Sequence, residues 1–349
     1  GERVIPPGSG QTIYAGHAIN MDTKPKEGGT TVLDKLLSTW RARRVLIVGG
    51  KDALTPWMNA ILSELGARPV CVTPGCGAEA LCRVMNDGRV SAVIIPAAHT
   101  LHEGGLEMQL SALSTLLCEV REAGVPLTIL CSDASVYRAS EQVWYAREED
   151  PLGGRTREGL IQSILQLYAD GMSRGLLGDA VTTLIVRHMP CLFSDSPFTR
   201  QYARWCRELL AGEPLHVEHP GMQGIFMHPL DVACGALMLG ARFLSGEDMQ
   251  ENVFNLSTGP DNLCANRSAA LRLVNQHGGT RPLVESEPPL PPRSPLLDGS
   301  RARYTCGFRC RISAGAALSQ LLEWTRAAQN GEEAQVLVHQ TRAYLERMR

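Results

Sequence analysis

The chain has 349 residues, 44% hydrophobic and 20% charged, with a formal net charge of −2. That balance suits a soluble globular protein with a large core. It leaves no basic field to gather nucleic acid or an anionic membrane, and no apolar run approaches the roughly 18–20 residues needed to span a bilayer. The eleven cysteines sit mostly inside apolar runs, as buried free thiols do in a reducing compartment, so a cytoplasmic protein is expected. Their spacings match no common zinc pattern, and no metal is expected. The first residues lack the charged and apolar regions of a secretory signal.

Residues 1–32, rich in Gly, Pro, Thr and Lys, predict an extended N-terminal arm. A short helix over 33–40 follows, and Arg41-Ala-Arg43-Arg44 reads as a solvated basic face before the first strand. From Arg44 onward apolar runs alternate with amphipathic segments. Strands are predicted at 44–49, 69–73, 90–96, 126–131 and 180–187, and helices at 56–66, 78–86, 106–123 and 160–175. Such alternation predicts an α/β fold with a doubly wound parallel sheet. Beyond 190 the pattern loosens: helices at 198–211, 230–244, 268–278, 314–329 and 334–347, and strands at 216–219 and 252–257. The five prolines of 285–295 predict a linker or an extended crossing segment. The expected organisation is an arm (1–32), a Rossmann-like core (33–190) and a smaller C-terminal substrate-binding subdomain (191–349), with 225–260 returning to the core.

Five motifs in order carry a resemblance. They are Leu130-Cys-Ser132-Asp133-Ala-Ser-Val136-Tyr137; Arg147-Glu-Glu-Asp150-Pro151-Leu-Gly153-Gly154; Gly224-Ile-Phe-Met-His228-Pro-Leu-Asp231-Val-Ala233; Asn252-Val-Phe-Asn255-Leu-Ser-Thr-Gly259; and Tyr304-Thr-Cys-Gly307-Phe308 through Glu323-Trp324. Over residues 43–327 the chain resembles the extended short-chain dehydrogenase/reductases, specifically nucleotide-sugar epimerases and 4,6-dehydratases, CDP-glucose 4,6-dehydratases above all. The resemblance implies a Rossmann-like fold, a nucleotide or nucleotide-sugar ligand with His228 against it, and NAD(P) as cofactor. It also implies a homodimer in which helices 106–123 and 158–175 pair with their mates in a four-helix bundle.

The chain departs from that pattern where the chemistry lies. In a Gly-x-x-Gly-x-x-Gly turn the glycines let the backbone approach the pyrophosphate at a helix N-terminus. Here Gly49 holds the first position, Asp52 the second and Thr55 the third. An aspartate about 4 Å from a phosphate charge costs about 1 kcal/mol in water and about 4 kcal/mol at an effective dielectric of 20. The strand over 69–73 also ends without an acid for the ribose hydroxyls. These departures disfavour NAD(P). A shifted phosphate loop through Gly49, Gly50 and Lys51, with Asp52 beside it and Ala97-Ala98 at the next strand end, is the alternative.

With Gly153-Gly154 as anchor, Glu158 falls on the family's catalytic tyrosine and Gln162 on its lysine, while Ser132 alone matches the catalytic hydroxyl. Glutamine carries no charge to lower a neighbour's pKa, and an ionised glutamate accepts a proton without readily donating one. The plainer reading makes Glu158 and Gln162 a solvent-facing i,i+4 pair, Ser132-Asp133 a strand-end cap and His228 a packed histidine. His99, Thr100 and His102 hint at rebuilt chemistry, and a Ser-His-Asp hydrolase lacks its Gly-x-Ser-x-Gly elbow. The leading expectation is a ligand-binding homologue with lost or altered redox chemistry. The alternatives are an active NAD(P)-dependent epimerase/dehydratase with an unusual acid/base, and a dinucleotide-sensing regulator or scaffold.

Overall fold

Six short apolar runs pair into one parallel sheet: β1 (Arg44–Val48), β2 (Arg68–Val72), β3 (Val90–Ile95), β4 (Thr128–Asp133), β5 (Thr183–His188) and β6 (Val253–Leu256). They stand in the order β2-β1-β3-β4-β5-β6. The computed structural model describes residues 31–349 except 51, 74, 76–77, 139–143, 195, 197, 225, 248, 260–261, 278 and 290–294. The predicted arm thus lies outside the described residues but for its last two. Thr31 and Val32 open the first helix, where Thr31 and Asp34 cap each other reciprocally.

The helices are α1 (Val32–Trp40), α2 (Thr55–Glu64), α3 (Ala78–Asn86), α4 (Leu106–Glu122), α5 (Arg157–Ser173), α6 (Arg200–Ala211), α7 (Pro229–Leu244), α8 (Asn266–Gln276), α9 (Ser300–Cys306), α10 (Ala314–Asn330) and α11 (Glu333–Glu346). Side chains alternate across each strand. Val45, Ile47, Ile94, Ile129 and Val186 pack with Trp40 of α1, Trp57 of α2 and Leu237 of α7. Leu46, Val48, Val93, Leu130 and Ile185 pack on the other side with Leu81 of α3, Leu117 of α4 and Leu165 of α5. Two covered faces explain why these strands are unbroken apolar runs rather than alternating ones. Among the described residues, no helix is long and apolar enough to cross a membrane.

The strand order turns at β1, which has β2 on one side and β3 on the other. In an open α/β sheet such a turn leaves a crevice beyond the carboxyl ends of the strands, where ligands bind. Among the described residues, the half containing β1 and β2 has two strands where the usual 3-2-1-4-5-6 arrangement has three, since α3 leads directly across to β3.

Small ladders finish the other end: Leu215–Glu218 pairs with Leu283–Ser286, Gln223–Gly224 with Cys264–Ala265, and Tyr145–Ala146 with Leu296–Leu297. The proline-rich stretch, expected to be a linker or an extended crossing segment, begins as a strand through Ser286. Its backbone N–H groups remain available until Pro288, which is enough for one short parallel ladder.

One fully buried carboxylate helps hold the C-terminal helix. Asp231, in the first turn of α7, is fully buried. It accepts from the N–H groups of Arg311 (2.9 Å) and Ile312 (3.0 Å), the Tyr344 hydroxyl (2.8 Å) and the Cys310 thiol (3.0 Å). Removing it orphans four donors at once. Asp231→Ala is expected to lower the unfolding free energy by about 3 kcal/mol. Asp231→Asn, which keeps one acceptor oxygen, should lose less. Urea denaturation with an unchanged slope is the check, and equal costs for the two variants would remove the carboxylate from this role.

Candidate functional site

The β1–α2 loop is closed by its own side chain. Asp52 Oδ1 accepts from the N–H groups of Leu54 (2.9 Å) and Thr55 (2.7 Å), and Oδ2 accepts from the Gly50 N–H (3.2 Å) and the Thr55 hydroxyl (2.6 Å). Thr55 is the first residue of α2 and Pro56 follows it, where its missing N–H costs nothing. The free N–H groups of a helix start attract an anion, and here the protein supplies one. Gly49 is tied to the same unit. A Cβ there would overlap Thr55 Oγ1 and come within 3.0 Å of Asp52 Oδ2 and 3.3 Å of Pro96 Cδ. Gly50 is exposed beside it, and Lys51 lies outside the described residues.

The loop forms one wall of a cavity of about 600 Å³ at the turn of the strand order. Pro96, Ala97, His99 and Thr100, just past β3, form the next wall. Ala98 is fully buried behind them. His99 Nδ1 is buried without a partner. His102 is not part of this lining: its Nδ1 accepts from the Gly104 N–H (2.8 Å) and its own N–H donates to Gln109 Oε1 (3.0 Å).

Ser132 and Asp133 are the last residues of β4, two positions beyond the predicted strand end. Their pairing with Arg187 and His188 extends the ladder to there. Asp133 Oδ1 accepts from the Ser135 N–H (2.8 Å) and so caps the next turn. Ser132 is buried, and its Oγ accepts from Gln166 Nε2. Gln166 Oε1 in turn accepts from Arg187 Nε (2.7 Å), and Arg187 Nη1 donates to the Tyr137 hydroxyl (2.8 Å), which donates to Asn255 Oδ1 (2.7 Å). Burial pushes the Tyr137 phenol up, with Arg187 opposing. Tyr137 is thus a structural phenol behind the cavity wall.

Helix α5 starts against the Ser135 carbonyl, because Gly154 and Gly159 present no Cβ to it. Thr156 caps it by accepting from the Gly159 N–H (3.0 Å). Glu158 is exposed at the cavity mouth, whereas Gln162, one turn further, is 1% exposed. The expectation of a solvent-facing pair therefore fails for Gln162. Positions four apart on a helix differ by about 40° in direction, which separates a mouth residue from a floor residue here. Gln162 Oε1 accepts from the Asp133 N–H (3.1 Å), and its Nε2 is buried without a partner.

The last wall follows β5 and carries His188, Pro190, Cys191, Phe193, Ser194 and Phe198. Neither His188 nor Cys191 was singled out from sequence; the only available signal was their place just past a parallel strand's carboxyl end. Burial lowers the His188 imidazole and raises the Cys191 thiol well above its ordinary range. His188 Nδ1 lies 2.7 Å from the Met189 carbonyl and 3.7 Å from the Cys191 sulfur. A nitrogen that donates to that carbonyl cannot also take the thiol proton, so His188 does not activate Cys191 through Nδ1.

His228 stands outside the cavity lining. Its Nδ1 accepts from the Leu230 N–H (3.0 Å) and caps α7, and its ring packs edge-on against Trp57 (4.9 Å) and Phe193 (5.1 Å). Phe193, at φ 70°, lines the cavity from the other side of this cluster. Burial lowers the His228 imidazole to about 3.

Three carboxylates (Asp52, Asp133, Glu158) and two imidazoles (His99, His188) face this space, and no Lys or Arg does among the described residues. Among those residues no group of three or more His, Cys, Asp or Glu could hold a metal. A cavity so lined offers acceptors to ligand hydroxyls, with the Gln162 amide as a donor.

The chain matches no protein-family model and no curated protein sequence. Its fold does match solved structures across nearly their whole length. A UDP-glucose 4-epimerase from Thermotoga maritima, solved with UDP-glucose, is 16% identical, with a TM-score of 0.65, 82% of this chain and 99% of that one covered. A dTDP-glucose 4,6-dehydratase from Bacillus anthracis, in complex with NAD, is 13% identical, with a TM-score of 0.66, 85% and 100% covered. A UDP-glucose 4-epimerase from Stenotrophomonas maltophila, with bound NAD and formylated UDP-arabinopyranose, is 17% identical, with a TM-score of 0.67, 83% and 99% covered. These neighbours are extended short-chain dehydrogenase/reductases, and the chain shares their Rossmann-like α/β fold.

Two outcomes test the geometry. Gly49→Ala should cost about 1–3 kcal/mol by overpacking, and at least about 1 kcal/mol less in a Thr55→Ala background; simple additivity in the double-mutant cycle would clear Thr55 as the obstacle. For His228, the folded value near 3 lies below the ordinary 6.5, so between those values the unfolded chain binds the extra proton. The contribution is complete above pH 6.5 and is lost as pH falls toward 3, by at most about 1.4 kcal/mol per unit. His188 adds in the same direction. His228→Asn, which keeps a capping acceptor, should flatten the pH dependence of the melting temperature; an unchanged slope would show that the imidazole titrates normally.

Proposed function

We propose that this chain is a nucleotide-sugar epimerase/dehydratase homologue that binds a nucleotide or nucleotide-sugar ligand and has lost the NAD-dependent chemistry of its structural neighbours. The observation that carries this reading is the Asp52 carboxylate on the N-terminus of α2. The residues present do not fit the dinucleotide. The helix start already holds an anion, Thr55 takes the space of a third glycine, and β2 ends in Cys71 and Val72 without an acid for the ribose. The two-stranded half of the sheet agrees. A pyrophosphate would have to displace Asp52 and face it at close range.

The acid/base positions support the same conclusion. Gln162 contributes no charge, Glu158 stands at the mouth in water, and Tyr137 is buried and committed to Asn255. A phenol with a cation beside it does not face the cavity. What remains suits hydroxyl recognition: Ser132, Asp133, Glu158 and the unpartnered Gln162 amide.

The ligand is accordingly the sugar-bearing part of a nucleotide sugar. The chain also works as a homodimer through α4 and α5. Leu160 and Leu167 lie on one face of α5, 49% and 59% exposed, and Met108 of α4 is 50% exposed. Such a stripe is more apolar than a solvated helix face requires.

Thermal denaturation with NAD⁺, NADP⁺ and UDP-, dTDP- and CDP-sugars tests the reading. Saturating ligand at about a hundred times its Kd stabilises by about 2.7 kcal/mol, a shift of several degrees. A shift is expected with at least one nucleotide sugar and with neither dinucleotide. Copurified NAD(H), or turnover abolished by Glu158→Gln, would overturn the proposal. Light scattering showing a monomer would overturn the dimer alone.

A further inference from the structure

At the opposite end of the sheet lies a second concavity, of about 480 Å³, lined by Arg41, Arg43, Arg44, Arg68 and Arg89, with Asp87 the only acid among the described lining residues. We propose that it binds a small ligand carrying a diphosphate or a longer phosphate chain. This does not rest on the reading of the main cavity.

The backbone brings these charges together. The β1–β2 ladder pairs Arg44 directly with Arg68, on strands about 4.8 Å apart, and like charges placed opposite each other in a sheet repel. Ala42, between Arg41 and Arg43, has φ 60°, a left-handed conformation that a non-glycine residue adopts at a cost. Its N–H donates to the Gly66 carbonyl (2.7 Å) and holds the turn beside β2. Gly88 lies against Arg44, the guanidinium 3.4 Å from where a Cβ would stand, an ordinary contact.

Ordinary structural duties account for two of the five. Arg43 Nε donates to the Thr39 carbonyl at the end of α1 (2.5 Å), and Arg44 Nη2 to the Val84 carbonyl in the last turn of α3 (3.3 Å). Arg44 Nε is nevertheless buried without a partner. Arg41, Arg68 and Arg89 make no side-chain hydrogen bond or ion pair among the described residues. Several guanidinium forks around one hollow match the paired oxygens of phosphate. The volume suits a small molecule, and the net charge of −2 provides no wider basic track for nucleic acid.

The test is calorimetric titration of the full chain with inorganic pyrophosphate, orthophosphate and ADP at low ionic strength. Pyrophosphate should bind once per chain and more tightly than orthophosphate, and should weaken as salt rises. Arg68→Gln and Arg89→Gln should each reduce affinity about tenfold. Without pyrophosphate, Arg68→Gln should melt no lower than the parent, since it relieves repulsion with Arg44; its circular dichroism verifies folding. Tighter ADP binding, sensitive to the same variants, assigns a nucleotide; equal binding assigns the diphosphate alone, and both support the site. The proposal is overturned by no saturable binding, by binding that folded Arg68→Gln and Arg89→Gln leave unchanged, or by binding of single-stranded RNA that pyrophosphate fails to displace.

Discussion

A helix that begins at a ligand crevice must have its first N–H groups satisfied, and in this protein a carboxylate from its own loop does so. Asp52 takes two N–H groups and a hydroxyl at the head of α2, and a further N–H from Gly50. The three positions that look like a decayed glycine motif form one coupled unit. Thr55 can be β-branched because its hydroxyl is bonded to Asp52. Gly49 must stay glycine because Thr55 and Asp52 occupy the space its Cβ would need. Glycine in place of Asp52 alone would leave an uncapped helix, and in place of Thr55 alone an unfilled space.

Much of the fold was legible because burial on both faces writes strands as apolar runs and helices as stripes. β1 and β3 begin at Arg44 and Val90, as expected, and each ends one residue sooner, at Val48 and Ile95 before Gly49 and Pro96. The end of β4 was less legible: Ser132 and Asp133 look like turn residues, yet the ladder to β5 carries them as strand. The site was legible in its departures more than in its contents. Asp52 was visible as a charge out of place, while its spacing to Thr55 and Pro56 is also the spacing of a helix start, a reading with a different consequence. Gln162 misled because a Glu/Gln pair four apart looks like a wet helix face. Only the close seat of α5 on Ser135, through Gly154 and Gly159, turns its amide inward. His188 and Cys191 belong to no local motif, and tertiary placement alone brings them to the cavity.

The cavity walls are stiff for different reasons. Ser132 is fixed from behind by a chain of bonds through Gln166, Arg187 and Tyr137 to Asn255 of β6. A buried cation in such a chain is costly unless its donors find acceptors, and Arg187 Nε and Nη1 find them in Gln166, Tyr137 and the Glu148 carbonyl. Phe193 is held instead by packing, against Trp57, His228 and Trp324. A neutral imidazole fits that cluster, because an apolar surround disfavours its charged form.

The two ends of the sheet carry opposite charge for a reason rooted in topology. In a doubly wound fold each helix returns antiparallel to the strands, so helix starts gather at the strand carboxyl ends and helix ends at the strand amino ends. The positive pole of α2 meets Asp52, and Glu158 lies in the first turn of α5; the negative poles of α1 and α3 meet Arg43 and Arg44. A net charge near zero conceals this polarity. At the acidic end the pairing is nearly complete, since Asp52 is consumed within its loop. At the basic end it is not. Two guanidiniums answer two helix ends, and three more face the same hollow without a carboxylate bonded to them among the described residues. Helix dipoles therefore account for the sign of the charge at each end but not for its amount at the arginine end, and that excess is what a bound polyanion would neutralise.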